Sequence, residues 1–403
     1  MNILFLTLLD FLDIEEQGIY TDLLREFVNH GHNVIIISPT EKKKKQPTKL
    51  FDFENYKILK LQIGNIQKTN IVEKGISTVL LEKKFISGIQ KYFSNISFEL
   101  VLYSTPPITL QQAVEYVKNR DNAKTYLLLK DIFPQNAIDL GMLKKTGVKG
   151  ILYKYFRSKE KKLYAISDYI GCMSPANVRY LIQNNYEVSK SKVETCPNSI
   201  EPIHINTDIG TIENIKNKYQ IPNNKTVFIY GGNLGKPQGI DFMIDCLKYN
   251  SNNDKVHFVI AGNGTDYIKI KNFFNKENPI NAQLFHQLPK KEYELLVLAC
   301  DVGLIFLDNR FTIPNFPSRL LSYMQASLPV LAATDRSTDI GQIIEQGEFG
   351  YWCESTDVTQ FTQLLDRFSD EKARRQMSEK SRLYLEEHFS VKKGYEIIMK
   401  HFL

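Results

Sequence analysis

Short runs of β-branched and aliphatic residues alternate with stretches of helical spacing along most of the chain. Residues 2–8, 33–38, 56–63, 100–104, 125–129, 168–173 and 193–195 read as strands. Between the first two, residues 20–29 place Leu23, Leu24, Phe27 and Val28 on one helical face and stop at His30-Gly31, a C-cap signal. The pattern restarts at Thr226, with strands expected at 227–230, 256–261, 282–285, 302–306 and 330–333. Helices are expected at 240–247, 291–299, 318–325, 338–346 and 372–388, with a last one at 395–403. Apolar runs without polar alternation, separated by helices, mean parallel sheets covered on both faces. Pro197-Asn198-Ser199-Ile200-Glu201-Pro202 and the polar residues after it suit a hinge between the two series. The prediction is therefore an α/β chain of two Rossmann-like, doubly wound parallel-sheet domains facing a central cleft. Residues 1–200 form the first and 201–386 the second, and a C-terminal helix within 387–403 packs back on the first. Ligands are expected at the carboxyl ends of the strands.

Composition narrows the class. A length of 403 residues suits two domains, and 43% hydrophobic with 24% charged residues gives enough apolar surface for two cores. A net charge of +6 is too small over this length to imply a nucleic-acid partner. The basic residues are uneven, however. Lys42 to Lys45 form one run, and Lys144, Lys145, Lys149, Lys154, Arg157, Lys159, Lys161 and Lys162 face a single acid, Glu160. Ile151, Leu152, Tyr153, Tyr155 and Phe156 interleave the second group. Such a stretch suits peripheral contact with an anionic membrane, and a solvated helix face would look the same. No run of about 18 apolar residues occurs, so no spanning segment is expected. The first residues, with Asp10 and Asp13 and without a basic leader, read as a strand rather than a signal peptide. The five cysteines have no metal-ligand spacing and read as reduced thiols of a cytoplasmic protein.

Five segments carry candidate chemistry. In Gly231-Gly232-Asn233-Leu234-Gly235-Lys236, glycines bring backbone N–H groups close to an anion and Lys236 adds a full charge, before a helix whose N-terminus favours negative ligands. A tight turn with no ligand would also use these glycines. Pro317 and Ser318 suit a helix start, and Arg319 sits where a cation opposes the helix dipole, so either a bound anion or a neighbouring acid is expected beside it. Gly262-Asn263-Gly264, and Leu288 after Phe285-His286-Gln287, end strands where a nucleotide base would be held. In the first half, Lys130-Asp131 follows a strand, and Asp131 either binds a sugar hydroxyl or a leaving proton at the cleft, as a candidate catalytic group, or caps the next helix. No paired-carboxylate hydrolase pattern, nucleophile triad order or metal-binding D-x-D is evident.

Taken together, YGGNLGKPQG, AGNG, FHQLPKKEY, ACDVGLIFL, FPSRLLSYMQASLPVLA and PNSIEP resemble family 4 glycosyltransferases of the GT-B fold. KDIFPQNAIDLGML is similar to the D-L-W-P-E-x-A…G-M-L segment of a bacterial subgroup that builds surface polysaccharide, capsule and O-antigen included. The resemblance implies a nucleotide-sugar donor, a UDP-sugar, in the second domain. It also implies a glycan or polyprenyl-linked acceptor in the first, and transfer with retention without a cofactor or metal. Gly232, Asn233, Leu234, Gly235, Lys236, Pro317, Ser318 and Arg319 would then face the diphosphate, and Gly262, Asn263, Gly264, Leu288, Leu320 and Ser322 the base and ribose. The family's E-x7-E glutamates would fall at Pro314 and Ser322, its Arg and Lys phosphate pair falls near Asn233 and Gln238, and Gln135 replaces the glutamate of the subgroup segment. A nucleotide-sugar 2-epimerase on the same fold and a non-catalytic nucleotide-sugar-binding subunit are the alternatives.

Overall fold

The structure is a computed structural model that describes residues 1–66, 71–205 and 207–402. The chain divides into two compact units, Met1–Glu201 with Val391–Leu403, and Pro202–Ser390.

In the first unit the order is β1 (Asn2–Leu6), α1 (Ile19–Asn29), β2 (Asn33–Glu41), β3 (Lys49–Asp52), β4 (Tyr56–Ile63), α2 (Ile71–Tyr92), β5 (Leu100–Thr105), α3 (Gln111–Asp121), β6 (Lys124–Leu129), α4 (Gln135–Asp139), α5 (Gly147–Ile166), β7 (Tyr169–Cys172), α6 (Pro175–Asn184) and β8 (Val193–Thr195). The strands lie in the order β3-β4-β2-β1-β5-β6-β7-β8. Every pair is parallel except β3 with β4. Alternate residues of one strand face opposite sides of a sheet. Leu4, Leu6, Val101, Tyr103, Leu127 and Leu129 enter one core, and Ile3, Phe5, Leu100, Leu102, Tyr126 and Leu128 the other. Burial on both faces is why these strands read as unbroken apolar runs, each large side chain contributing about 1.5–3 kcal/mol.

The second unit runs α7 (Ile209–Tyr219), β9 (Thr226–Asn233), α8 (Ile240–Tyr249), β10 (Val256–Asn263), α9 (Tyr267–Glu277), β11 (Ala282–Phe285), α10 (Lys290–Leu298), β12 (Val302–Phe306), α11 (Arg319–Gln325), β13 (Val330–Thr334), α12 (Ile340–Gln346), β14 (Gly350–Glu354), α13 (Val358–Arg367) and α14 (Glu371–His388). Its six strands are all parallel, in the order β11-β10-β9-β12-β13-β14. β9 is internal, and the chain reverses its direction of travel across the sheet between β11 and β12, so the loop ending β9 lies at the switch point where such sheets take ligands.

Several expectations are corrected. The last helix, α15 (Val391–Met399), starts four residues earlier than the spacing predicts, and it belongs to the first unit. Tyr395 packs edge-on to Phe27 of α1 at 5.1 Å and its hydroxyl meets His32 Nε2 at 3.0 Å. Residues 197–201 are not a loose hinge. Asn198 and Ser199 are buried, Val391 donates its amide to Ile200 O at 2.8 Å, and Glu201 donates its own to Asp22 Oδ2 at 2.9 Å. Strands β3 and β14 were not expected. No helix among the described residues is long and apolar enough to cross a membrane. All five cysteines are free and buried.

Candidate functional site

The β9 end is built around an arginine. Arg319, the first residue of α11, turns back so that Nε donates to Gly231 O while the guanidinium lies over the Tyr230 ring, 4.2 Å from its centroid. The ionisable groups that act most strongly on it are Tyr230, Tyr293 and Tyr323, and among the described residues no carboxylate forms an ion pair with it. Tyr323 is buried and donates to Ile229 O and Leu304 O, both at 3.0 Å, which fixes α11 beneath β9 and β12. Burial pushes the Tyr293 phenol up to about 12, so it stays neutral beside the cation.

The paired glycines follow from this packing. A Cβ on Gly231 would lie 2.0 Å from Tyr293 Oη, and one on Gly232 2.3 Å from Arg319 Nη2. Gly232 also has φ 127, a conformation that favours glycine. Tyr293 thus restricts position 231 to glycine, and the arginine and the backbone together restrict position 232.

The loop itself departs from the expectation of inward-facing amides. Leu234 donates to Asn263 O at 2.9 Å, Gly235 to Gln238 Oε1 at 3.4 Å, Gln238 to Gly235 O at 3.0 Å and Gly239 to Lys236 O at 3.2 Å. These amides are occupied by protein acceptors. Residues 236–238 form a 3-10 turn, and α8 starts at Ile240, where the spacing predicts it. Gly232, Asn233 and Lys236 are the loop's exposed residues, and Asn233 Nδ2 is held by Gln238 Oε1 at 3.0 Å. Gly262 is buried with its backbone against Gly232, while Asn263 is exposed at the tip with Oδ1 bonded to the Gly264 amide at 2.8 Å.

At α11 the expected cap is absent: Ser318 makes no side-chain capping bond, and Leu320 and Leu321 donate to Pro317 O and Ser318 O. Leu320 is wholly buried in the core, so its side chain has no surface for a ribose. Ser322 is exposed and Leu288 half-buried. Pro314 is buried in a loop fastened from β13, where Ser337 Oγ donates to Phe311 O at 2.9 Å and Thr338 Oγ1 to Asn315 O at 2.6 Å. Asp335 organises that turn by accepting the Ser337 and Thr338 amides on Oδ1. Burial raises its carboxyl to about 6, against the lowering pull of those amides. Sequence reasoning missed Asp335, although Asp-Arg-Ser-Thr after a strand is an Asx-turn pattern.

In the first unit, Asp131 is half-buried, accepts from Asn136 Nδ2 at 2.8 Å, and sits where Thr105 Oγ1 ties β5 to β6. Burial raises its carboxyl, while the Asn136 amide opposes that shift. Its neighbour Lys130 reaches Cys196 O at 3.3 Å, and burial pulls the amine down to about 8. A polar pocket with about 470 Å³ of empty space, part of it open, lies beside the same loop. Gln135, Lys145, Tyr153, Arg157, Tyr180 and Asn184 line it. Its wall is a buried Glu160 that accepts from Arg157 and from Tyr164 Oη, the latter at 2.8 Å, with Arg157 also bonded to Asn185 Oδ1 at 2.7 Å. The i,i+3 spacing of Arg157 and Glu160 was visible in the sequence, but their burial and the bonds of Arg157 to Asn184 O and Asn185 Oδ1 depend on tertiary packing.

Arg319, bonded to Gly231 O, thus lies under a glycine-rich loop at the switch point of a parallel sheet, the position where such sheets take ligands. Residues 211–384 match the family model of glycosyl transferases group 1. That match lies within the second unit. The chain is 24% identical over 309 residues to the probable glycosyltransferase WbjE of Pseudomonas aeruginosa, covering 75% of this chain and 74% of that one. It is 22% identical over 137 residues to WcaI of Escherichia coli (strain K12), a putative colanic acid biosynthesis glycosyl transferase, covering 33% of each. Among solved structures, the E. coli trehalose-6-phosphate protein bound with UDP-2-fluoro glucose superposes with a TM-score of 0.75 at 10% identity, over 100% of this chain and 98% of that one. HepE of Anabaena in complex with UDP-glucose gives 0.69 at 13% identity, over 100% and 99%. These likenesses establish the fold as two parallel-sheet α/β units of GT-B type.

Proposed function

We propose that this protein is a glycosyltransferase that moves a sugar from a UDP-sugar to a glycan or lipid-linked acceptor, with retention of configuration, in bacterial surface polysaccharide synthesis. The observation that carries the reading is Arg319, a cation held on an aromatic face under Gly231 and Gly232, with tyrosines around it and no carboxylate ion-paired to it among the described residues. Negative charge grows on the diphosphate as its bond to the sugar breaks, and a fixed cation there lowers the barrier. Lys236, exposed in the same loop, supplies a second charge. On the acceptor side, Asp131 and the polar pocket beside it supply hydrogen-bonding groups suited to sugar hydroxyls. The name of WcaI, a putative colanic acid biosynthesis glycosyl transferase, supports the polysaccharide setting.

The test is a UDP-sugar panel incubated with and without lipid-extracted acceptor, with product stereochemistry read by NMR. Acceptor-dependent transfer with retained configuration is expected. Epimerised sugar formed from donor alone would replace this reading with a 2-epimerase. Tight UDP binding without turnover on any pair would replace it with a binding subunit.

A further inference from the structure

Helix α5 exposes what a helix of a globular unit normally hides. Its inner side buries Gly150, Glu160, Leu163 and Tyr164. Outward it presents Val148 at 86% exposure, Ile151 at 72%, Leu152 at 45% and Tyr155 at 43%. At 100° per residue these four fall within an arc of about 100°, a single stripe over the first turns of the helix. Lys149 and Lys154 flank the stripe on opposite sides by the same geometry, and both are exposed. Met142, just before the helix, is 54% exposed.

Charge complements the stripe. Between Lys144 and Lys162 the one acid is Glu160, and it is buried and neutralised by Arg157. Lys159 and Lys161 are engaged by Glu82 and Glu187, so the exposed cations nearest the stripe are Lys144, Lys145, Lys149 and Lys154. A contiguous apolar stripe bounded by Lys149 and Lys154, on a helix whose one acid is buried, matches the boundary of an anionic bilayer, where apolar side chains enter the acyl region and lysines remain at the phosphates.

We propose that the outer face of α5, Val148, Ile151, Leu152 and Tyr155 between Lys149 and Lys154, docks this protein on an anionic lipid bilayer as a shallow helix lying in the surface plane. The opposite face of the same helix lines the polar pocket through Tyr153 and Arg157, so docking would set that pocket beside the lipid headgroups. This deepens the reading of a lipid-linked acceptor, but the docking itself stands on α5 alone.

The experiment is co-sedimentation of the full chain with vesicles of phosphatidylcholine, or of phosphatidylcholine and phosphatidylglycerol at about three to one, without any sugar donor. The wild type is expected to bind the anionic vesicles and to lose binding as salt rises. Lys149→Gln with Lys154→Gln should weaken partitioning about 25-fold, about fivefold per lysine. Ile151→Glu with Leu152→Glu should weaken it at least about tenfold at low salt, where charge alone would still hold the protein. Both pairs are exposed, so unchanged circular dichroism and UDP binding certify the fold. Equal binding to the two vesicle types, background binding to both as a protein-docking face would give, or an Ile151/Leu152 variant within about twofold of wild type overturns the proposal. Transfer to a soluble acceptor is unaffected by any of these results, which separates failure of docking from failure of the transferase reading.

Discussion

Replacing Arg319 by Met removes a cation while keeping much of the side chain's apolar volume. If the guanidinium meets a phosphate oxygen, the loss is a hydrogen bond between charged groups, about 1.5–3 kcal/mol. That corresponds to about 10- to 100-fold weaker UDP binding. Arg319→Lys should fall between, because a point charge is kept while the Nε bond to Gly231 O is lost. Gly232→Ala offers an independent route to the same site, since its Cβ would occupy the place of Nη2 and displace the guanidinium without deleting it. Isothermal titration of UDP into the four proteins measures the effect, with thermal melts run alongside. The contact with the Tyr230 face contributes about 0.5–2 kcal/mol, so some loss of melting temperature is expected in any case. An Arg319→Met protein that is less stable yet binds UDP within about twofold of wild type would show that the arginine only fastens α11 to β9, and the phosphate assignment would fall.

Three further outcomes follow from the packing. Because burial raises the Asp335 carboxyl from 3.8 to about 6, the folded state holds that proton more tightly than the unfolded one. Its stabilising effect is full below pH 3.8 and is lost as pH rises to about 6, by about 3 kcal/mol, and Asp335→Asn, which keeps the acceptor for the Ser337 and Thr338 amides, should flatten that slope in melts across pH 4–7. Glu160→Ala removes the carboxylate that pairs with Arg157, leaving Asn184 O and Asn185 as its partners among the described residues, and should cost about 3 kcal/mol in denaturant titration; a cost below about 1 kcal/mol would mean that the pair is not buried as described. Gly231→Ala drives a methyl into the Tyr293 ring and should destabilise by about 1–3 kcal/mol, whereas adding Tyr293→Ala should make the double variant less unstable than the sum of the two.

The order of elements and the two-sheet fold were legible in the sequence because buried parallel strands admit few polar residues on either face. Residues 302–306 are the plainest case, and β12 spans the same five. β3 and β14 were illegible for the converse reason: each is a partly buried edge strand whose short run is broken by polar or small residues, Lys49 and Asp52 in β3, Gly350 and Glu354 in β14. Local chemistry also marked Gly231, Gly232, Lys236 and Arg319, since a glycine-rich strand end and a cation at a helix start are short-range signals. Their use was decided by contacts between distant segments. The loop amides went to Asn263 and Gln238, Arg319 was turned onto Tyr230, and Tyr293, 62 residues beyond Gly231, required that glycine. The same holds for α5. Its lysines and aromatic residues were visible as a basic, mixed stretch, but helical spacing alone cannot choose which face packs. Glu160, Leu163 and Tyr164 took the inner side by meeting α6 and the sheet, and only that packing left Val148, Ile151, Leu152 and Tyr155 facing out.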